Sequence, residues 1–552
     1  MTRLAKKNDK VVLGAPDGRI TPRAGLHLVA KLDTLLGIRE TIDAGRCSFK
    51  QRRRGLMLGG VMVSLAETML AGGDVLCDLD HQRRDAAGLR LRAVPDVPAS
   101  TTVIGLGKRF DEAARSHVER ANASLLRSVF SLLPEKRRHC LVAQRPTIDL
   151  DPTDTEVYGR HKQGSDFNYQ GQRVYRPHPA VWAEAGWVPA ADFGSGRSDP
   201  RPQAPGLLAR ALSALPDGLD RPVVRADSGF FDAKLATAAL ALHCDYGIAV
   251  KRSDAVWRAE RKIPAGEWKP AKGMDAEVAE CDYVPKGWPT GSRTICRRVK
   301  VARADLSADP RSRRRRTIDP NQLTLLASGE ADYAYAYSFI ITNLTGDICD
   351  IEAWFRQRAL VKEKIKDSKL GLALRHMPSG YESVNVMWMW AALLGLNISS
   401  WLQALTGHDE AEGRAHGKRL RRELVCAAAR VTRHARHLEV HTAPEHHDGT
   451  VIIETICLSK VDRLHRSQFL PRGDAQLLEG PVQVPFHRLA GDDERFADLP
   501  VGHAETGQVG NPPFAGAERV QAQSNRLARS GPGPTQLGSS LFGQQGGSTP
   551  IG

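Results

Sequence analysis

The chain has 552 residues, which is enough for more than one domain and a large hydrophobic core. Its 78 Lys and Arg against 63 Asp and Glu give a net charge of +15, which favours a polyanionic partner, although Arg-rich composition also reflects GC-rich coding. The nine cysteines form neither a Cys-x-x-Cys pair nor a Cys/His cluster, which argues against a zinc module or a disulfide framework and fits a reducing cytoplasm.

Two segments decide whether the sequence predicts secretion or membrane insertion. The basic N-terminus has no apolar run behind it, so we expect no signal peptide. The most apolar stretch, Val384–Leu405, approaches the length of a membrane span but contains Asn385 and Asn397. We therefore predict a buried core helix there and no membrane association.

Residues 24–140 have a helical pattern. Leu28, Val29, Leu32 and Leu36 fall on one face of an amphipathic helix, and similar patterns follow over 56–70 and 103–133. Basic clusters at 52–54, 83–84 and 137–138 have two interpretations, a DNA-end-binding domain or a solvated helical face.

The texture changes to strands interleaved with helices beyond Cys140, which is typical of an α/β sheet. Short alternating runs over 262–331 predict a β-rich insertion. A strand near Tyr335–Ile341 follows, and Asp350 is predicted to cap a long helix over 351–369. The Gly-, Pro-, Gln- and Ser-rich sequence after about residue 445 predicts a disordered tail.

Acidic residues occur in three segments where a metal site could be built. Asp149 and Asp151 share one face of the first strand, and Asp227 ends the apolar strand at Val223-Val224. Each also has an ordinary interpretation as a turn residue. On the later helix, Arg, Lys and Glu side chains come together and could place a metal ligand beside cations that hold phosphates, with a salt-bridged surface helix as the alternative. Two strand carboxylates and one helix carboxylate can together hold two divalent cations for phosphoryl transfer, and hard oxygen ligands favour Mg²⁺ or Mn²⁺.

Three segments together resemble the DDE transposases of bacterial insertion sequences. They are DLDPTDTEVYGRHKQGSDFNYQGQ, VVRADSGFF and WFRQRALVKEKIKDSKLGLALRHMPSGYESVNVMWMWAALLGLNISSWL. The likeness covers roughly residues 20–440 and is nearest to the branch with a β-strand insertion and a Tyr-Arg-Glu-Lys signature on the last helix.

The resemblance implies a fold and a domain order. The expected fold is an RNase H-like α/β core interrupted by a β-rich insertion, with a helical N-terminal domain. The expected boundaries are 1–140 for the helical domain, 141–261 and 332–445 for the two parts of the core, 262–331 for the insertion and 446–552 for the tail.

The resemblance also implies roles for individual residues. Asp151 and Asp227 are the expected metal ligands, 227 − 151 = 76 residues apart, with Asp149 in reserve for the first role. In the insertion, Trp288 or Trp268 could stack on a flipped base, although packing in the core is the alternative for both.

The partners implied by the resemblance are the terminal inverted repeats of the element and its target DNA. The reaction is metal-dependent DNA cleavage and strand transfer by a homodimer, in the cytoplasm and on the nucleoid when bound to DNA.

The last helix departs from the family's signature. Phe355, Arg358 and Lys369 fall on its Tyr, Arg and Lys positions, and the two cations are expected to bind DNA phosphates. Lys362 occupies the Glu position, and the neighbouring Glu363 is rotated by about 100° on a helix. Three alternatives stay open: Glu363 is the third catalytic and metal-binding carboxylate, the chain is an impaired copy that only binds DNA, or it is a nuclease of the same fold.

Overall fold

The structure is a computed structural model that describes residues 14–45, 55–306, 309, 315–406, 417–435 and 437–444, with the backbone alone at 360–361. The predicted tail from 446 and the basic cluster at 52–54 lie outside these residues. The described part is a mixed α/β fold in which one large sheet is packed against helices.

The N-terminal segment is helical, as predicted. Its helices are α1 (His27–Leu36), α2 (Ile38–Asp43), α3 (Leu58–Leu70), α4 (Asp78–Gln82), α5 (Ser100–Gly107), α6 (Glu112–Leu132) and α7 (Glu135–Val142). Leu28, Val29 and Leu32 of α1 are buried, in agreement with the amphipathic spacing. The left-handed Gly37 ends α1, because glycine adopts positive φ without a steric cost.

The large sheet begins after α7. Its strands are β2 (Thr147–Leu150), β3 (Thr155–Glu156), β4 (Asp166–Phe167), β5 (Arg173–Trp182), β6 (Trp187–Ser195), β7 (Val223–Ala226), β8 (Asp245–Ala249), β9 (Lys269–Pro270), β10 (Glu277–Cys281), β11 (Arg293–Ala302) and β12 (Tyr333–Thr342). The order is β3-β5-β2-β7-β8-β12-β11-β10-β9, with β4 and β6 also paired to β5. Strands β2, β7 and β8 are parallel, and their connections contain α8 (Ala204–Ser213) and α9 (Ala233–Ala241).

The predicted β-rich insertion does contain strands, and these strands extend the same sheet. β11 runs antiparallel to the whole of β12, from Arg293 opposite Thr342 to Ala302 opposite Tyr333. Helices α10 (Asp254–Glu260) and α11 (Pro320–Ser328) flank these strands. The insertion therefore contributes one edge of the sheet that also contains β2 and β7.

The predicted long helix over 351–369 is wrong in two details. Asp347, not Asp350, caps its start by accepting the backbone N–H of Cys349 at 2.8 Å. The helical segment is also divided into α12 (Ile348–Arg356) and α13 (Ala359–Gly371), with a turn at 357–358 between them. The residue spacing of one continuous helix therefore does not hold across Arg358.

The apolar stretch is a buried core helix, as predicted. It forms α14 (Glu382–Thr406), which packs against α3 and α6 and carries the fully buried Trp388, Trp390 and Trp401. Among the described helices, none combines the length and apolarity that a membrane span requires. The remaining elements are α15 (Gly417–Leu420) and a small sheet in which β1 (Ile20–Thr21) pairs with β13 (Ala429–His434), and β13 with β14 (His437–Thr442).

Candidate functional site

Asp151 and Asp227 follow two neighbouring parallel strands at the same edge of the sheet. The register pairs Leu150, the last residue of β2, with Ala226, the last residue of β7. Asp151 and Asp227 are the residues that follow them. Asp227 also begins a short turn, accepting the backbone N–H of Gly229 at 2.9 Å. The carboxyl ends of parallel strands are where α/β sheets commonly build their sites.

The guanidinium of Arg358 joins the two carboxylates. Its Nη2 donates to Asp151 Oδ1 and lies 3.8 Å from Asp227 Oδ2. The pKa of Asp151 is raised to about 6, mainly because the carboxyl group is buried. The positive charges of Arg358 and Lys362 lower this pKa, and the negative charge of Asp227 raises it. The two carboxylates thus lie close together, within reach of one guanidinium.

A second ion pair lies directly behind this edge. Arg225 of β7 donates from Nε and Nη2 to the two oxygens of Asp149, both at 2.7 Å, and both side chains are almost inaccessible to solvent. Arg225 also donates to the carbonyl of Trp354, and its guanidinium lies 5.2 Å from the Trp354 ring centroid. With both oxygens paired, Asp149 is part of the support beneath Asp151 and is not open to a ligand.

A cavity of about 640 Å³ opens beside Asp227. Its lining includes two carboxylates, Asp227 and Glu352, and six cationic side chains: Arg252, Arg297, Arg316, Arg356, Arg358 and Lys362. Glu352 is buried, with Oε1 2.9 Å from Arg297 and Oε2 3.4 Å from Arg356. Six positive charges minus two negative charges leave a surplus of four, which suits a phosphate-bearing ligand.

The helix α13 places Lys362, and not the candidate ligand Glu363, at this cavity. Both Lys362 and Glu363 are exposed, but only Lys362 lines the cavity, and it acts electrostatically on Asp151. Lys369, two turns further along, is half-buried and donates to the carbonyl of Asp154 at 2.6 Å. Burial lowers the pKa of Lys369.

The family profile described as "Transposase DDE domain group 1" matches residues 4–311 and 323–465, which is most of the chain. The chain belongs to this transposase family. No curated protein matches it significantly. A cryo-EM structure of the piggyBac transposase synaptic complex with hairpin DNA is 9% identical over 82% of this chain and 84% of its own, with a TM-score of 0.37, which is too low to support further inference.

The two tryptophans of the insertion are half-buried and pack against other aromatic rings. Trp288 lies 5.0 Å from the Phe231 ring and 6.1 Å from the Tyr246 ring, measured between centroids. Trp268 lies 6.4 Å from Tyr337 and carries the Arg298 guanidinium 3.9 Å from its centroid. Neither ring lines the cavity beside Asp227, so these contacts favour the packing alternative over base stacking.

A divalent cation can be tested against the donor atoms of the transposase. Asp151 and Asp227 offer hard carboxylate oxygens already drawn to one cationic group. Among the described residues, no group of three or more His, Cys, Asp or Glu is suited to hold a metal ion. Asp151 and Asp227 alone would leave such an ion with two carboxylate ligands, and the cationic Lys362 acts electrostatically on Asp151.

Sequence reasoning did not identify Arg225, Glu352 or Arg297 as parts of this region. Arg225 is a charged residue in the otherwise apolar strand β7, which is a weak local signal of a buried ion pair. Only the strand register, which places Arg225 opposite Asp149, identifies its partner.

Proposed function

We propose that this chain is a DNA transposase with an RNase H-like catalytic core that acts on the ends of its own insertion sequence. The observation that carries the proposal is the convergence of Asp151 and Asp227 on one guanidinium at the edge of a strongly cationic cavity. Family membership supports phosphoryl transfer on DNA as the reaction class.

The chain's own residues would bind and orient the DNA. Arg358 and the surrounding guanidinium groups would hold the phosphates on either side of the scissile bond, since planar guanidinium groups match phosphate oxygens. Lys369 would hold a more distant phosphate. Arg225 would keep the strand edge in place by neutralising Asp149.

Asp151 and Asp227 would hold Mg²⁺ or Mn²⁺, which in this class of reaction activates the attacking oxygen and stabilises the leaving one. By resemblance, water attacks first, and the freed 3′-OH then attacks the other strand or the target. We propose Glu363 as the catalytic and metal-binding third carboxylate if a local adjustment rotates α13 about its axis. We propose Trp288 as a DNA contact if the insertion rearranges.

A second candidate function is favoured by Lys362. Its ammonium group lines the cavity and acts on Asp151, so it would repel a divalent cation at that position. The chain would then bind terminal inverted repeats without efficient cleavage. We regard this impaired copy as the function that Lys362 specifically supports.

Variants at the two positions of α13 separate these functions. If Lys362 suppresses cleavage, Lys362→Glu should raise Mg²⁺-dependent cutting of terminal-repeat DNA, because it exchanges repulsion for a carboxylate ligand. Affinity for the same DNA, measured by fluorescence anisotropy, should change little. Lys366→Glu, with the same charge change on an exposed position of the helix, is the matched control.

The opposite result assigns the third carboxylate to Glu363. Strong cutting by the unmodified chain that disappears in Glu363→Ala would exclude the impaired copy. Whichever form of the chain cuts DNA, the unmodified one or Lys362→Glu, adding Asp151→Asn or Asp227→Asn should abolish its cutting. Cutting that survives both substitutions would exclude this metal site.

We further propose that the chain works as a homodimer that pairs two element ends in the cytoplasm, associated with the nucleoid. Mass photometry with and without terminal-repeat DNA would measure the assembly. Inverted repeats in the DNA flanking the gene would support a transposase over a nuclease of the same fold.

A further inference from the structure

The segment between β3 and β5 carries exposed aromatic side chains. Among the described residues, the three most exposed Phe, Tyr or Trp side chains are Tyr158 at 87%, Tyr169 at 78% and Phe167 at 48%. Leaving large rings in water forgoes the free energy that their burial would contribute. Their grouping within twelve positions indicates a surface that is covered by a partner.

The turn that carries Tyr169 is firmly held although its ring is exposed. The neighbouring Asn168 is buried and accepts the backbone N–H groups of Gln170 and Gln172, both at 3.0 Å, through its Oδ1. Its Nδ2 donates to Asp154 at 2.9 Å. Behind the turn, a Cβ on Gly196 would lie 2.3 Å from the Asp166 carbonyl oxygen, so the two backbones are in close contact.

The same segment is anchored at its other end. Lys162 donates to the carbonyls of Met377 and of Ser379, the latter at 3.0 Å, and the N–H of Gln163 donates to Gly380 at 2.9 Å. The exposed rings are thus mounted on an ordered support. Binding to rings on a backbone that is already ordered costs little loop entropy.

The two tyrosines line different cavities. Tyr169 lines the cavity that contains Asp227, Arg358 and Lys362. Tyr158 lines a second cavity of about 460 Å³, whose charged lining residues are the cations Lys162, Lys369 and Arg375 and the carboxylates Asp154 and Glu156. A hydrogen bond joins the linings of the two cavities: Asn168, which precedes Tyr169, donates to Asp154, which lines the second cavity.

We propose that the surface from Tyr169 to Tyr158 binds single-stranded DNA next to the phosphodiester at Asp227, with the two tyrosine rings stacking on unpaired bases. This rests on the proposed function, since it assumes DNA in the first cavity. Cationic side chains in both cavities match a phosphate backbone, and aromatic rings interleaved with cations are how single strands are bound without sequence preference.

The test compares two DNA probes of identical sequence. One is a fully paired duplex, and the other has a single-stranded gap containing 2-aminopurine, whose fluorescence is quenched by stacking. The full chain should bind the gapped probe more tightly and quench it. Tyr169→Ala should weaken gapped-probe binding about five- to 150-fold, the range expected for one stacked base, and relieve the quenching.

Three variants make the result specific. Tyr169→Phe should keep both effects, because stacking requires the ring and not the hydroxyl. Tyr158→Ala should weaken gapped-probe binding on its own. Tyr333→Ala, which removes another partly exposed ring that lies 4.0 Å from Lys300 Nζ and does not line either cavity, should change nothing.

Two results would overturn the inference while leaving the proposed function intact. One is equal binding of the two probes by the full chain, unchanged in Tyr169→Ala and Tyr158→Ala. The other is a loss of self-association in these variants, measured by light scattering, with unchanged DNA binding, which would assign the surface to a second copy of the chain. Failure to bind either probe would instead contradict the proposed function.

Discussion

The buried pair of Asp149 and Arg225 supports the edge on which the site is built. Removing one partner leaves an uncompensated charge in the interior, whereas an exposed pair contributes little. We expect Arg225→Met to lower the free energy of unfolding by about 3–5 kcal/mol in urea titrations. Arg201→Met, which breaks the exposed pair with Asp199, should cost less than about 1 kcal/mol.

The double variant tests this cause directly. Asp149→Leu combined with Arg225→Met removes both charges and should recover much of the lost stability. A double variant as unstable as Arg225→Met alone would show that packing around Trp354, and not the unpaired carboxylate, is responsible.

His178 on β5 predicts a pH dependence of stability. Burial lowers the pKa of His178 to about 4, and its Nε2 has no hydrogen-bond partner among the described residues. The unfolded chain therefore takes up the proton first, and stability is lost as the pH falls from about 6.5 towards 4. At pH 5 the loss should be about 2 kcal/mol relative to pH 7.

The measurement is the difference between the full chain and His178→Leu in urea titrations at several pH values. Other titrating groups cancel in this difference. A constant difference between pH 7 and pH 5 would mean that His178 is protonated equally in both states.

At the scale of residues, the sequence predicted the two strand-end aspartates but not what surrounds them. Asp151 and Asp227 each follow an apolar strand, which is a local pattern, and the structure brings them together. The pairing of Arg225 with Asp149 and of Arg297 with Glu352 depends on strand register and on the packing of α12, which no local pattern contains. Their catalytic roles stay predictions.

At the scale of elements, close contact between α2 and α3 depends on Gly59. A Cβ there would lie 2.3 Å from the backbone oxygen of Arg39, and its N–H donates to Asp43 at 2.6 Å. We expect Gly59→Ala to destabilise the protein by about 1–3 kcal/mol through overpacking. Thermal and urea unfolding would measure it.

Gly105 in the exposed part of α5 is the matched control, because a Cβ there meets nothing within 4 Å. Gly105→Ala should stabilise by about 0.5–1 kcal/mol, since alanine loses less backbone entropy in a helix. Equal effects of the two substitutions would show that the contact between α2 and α3 is adjustable.

The elements themselves were predictable to different degrees. The periodicity of α1 and the apolar run of α14 were sufficient to predict helices in the right places. The turn between α12 and α13 was not predictable, because Gln357 and Arg358 carry no helix-breaking signal. The consequence falls on the site, since the orientation of Lys362 and Glu363 depends on that turn.

At the scale of the molecule, the surplus of positive charge predicts a steep salt dependence of DNA binding. If the protein contacts about 6–10 phosphates, its affinity for DNA should fall by a factor of roughly 10³–10⁵ between 50 and 200 mM salt. Anisotropy titrations over that range would measure the slope. An affinity independent of salt would mean that the net charge of +15 is not used for DNA binding.

The packing of α3 against α14 has a consequence for synthesis on the ribosome. The end of α3 at Leu70 and the start of α14 at Glu382 are separated by 382 − 70 = 312 positions. At about 5–20 residues per second, the nascent N-terminal helices wait roughly 15–60 s for the helix that covers them. The face of α3 that α14 covers has no partner during that interval, so the yield of native protein should depend on chaperones that bind the emerging chain.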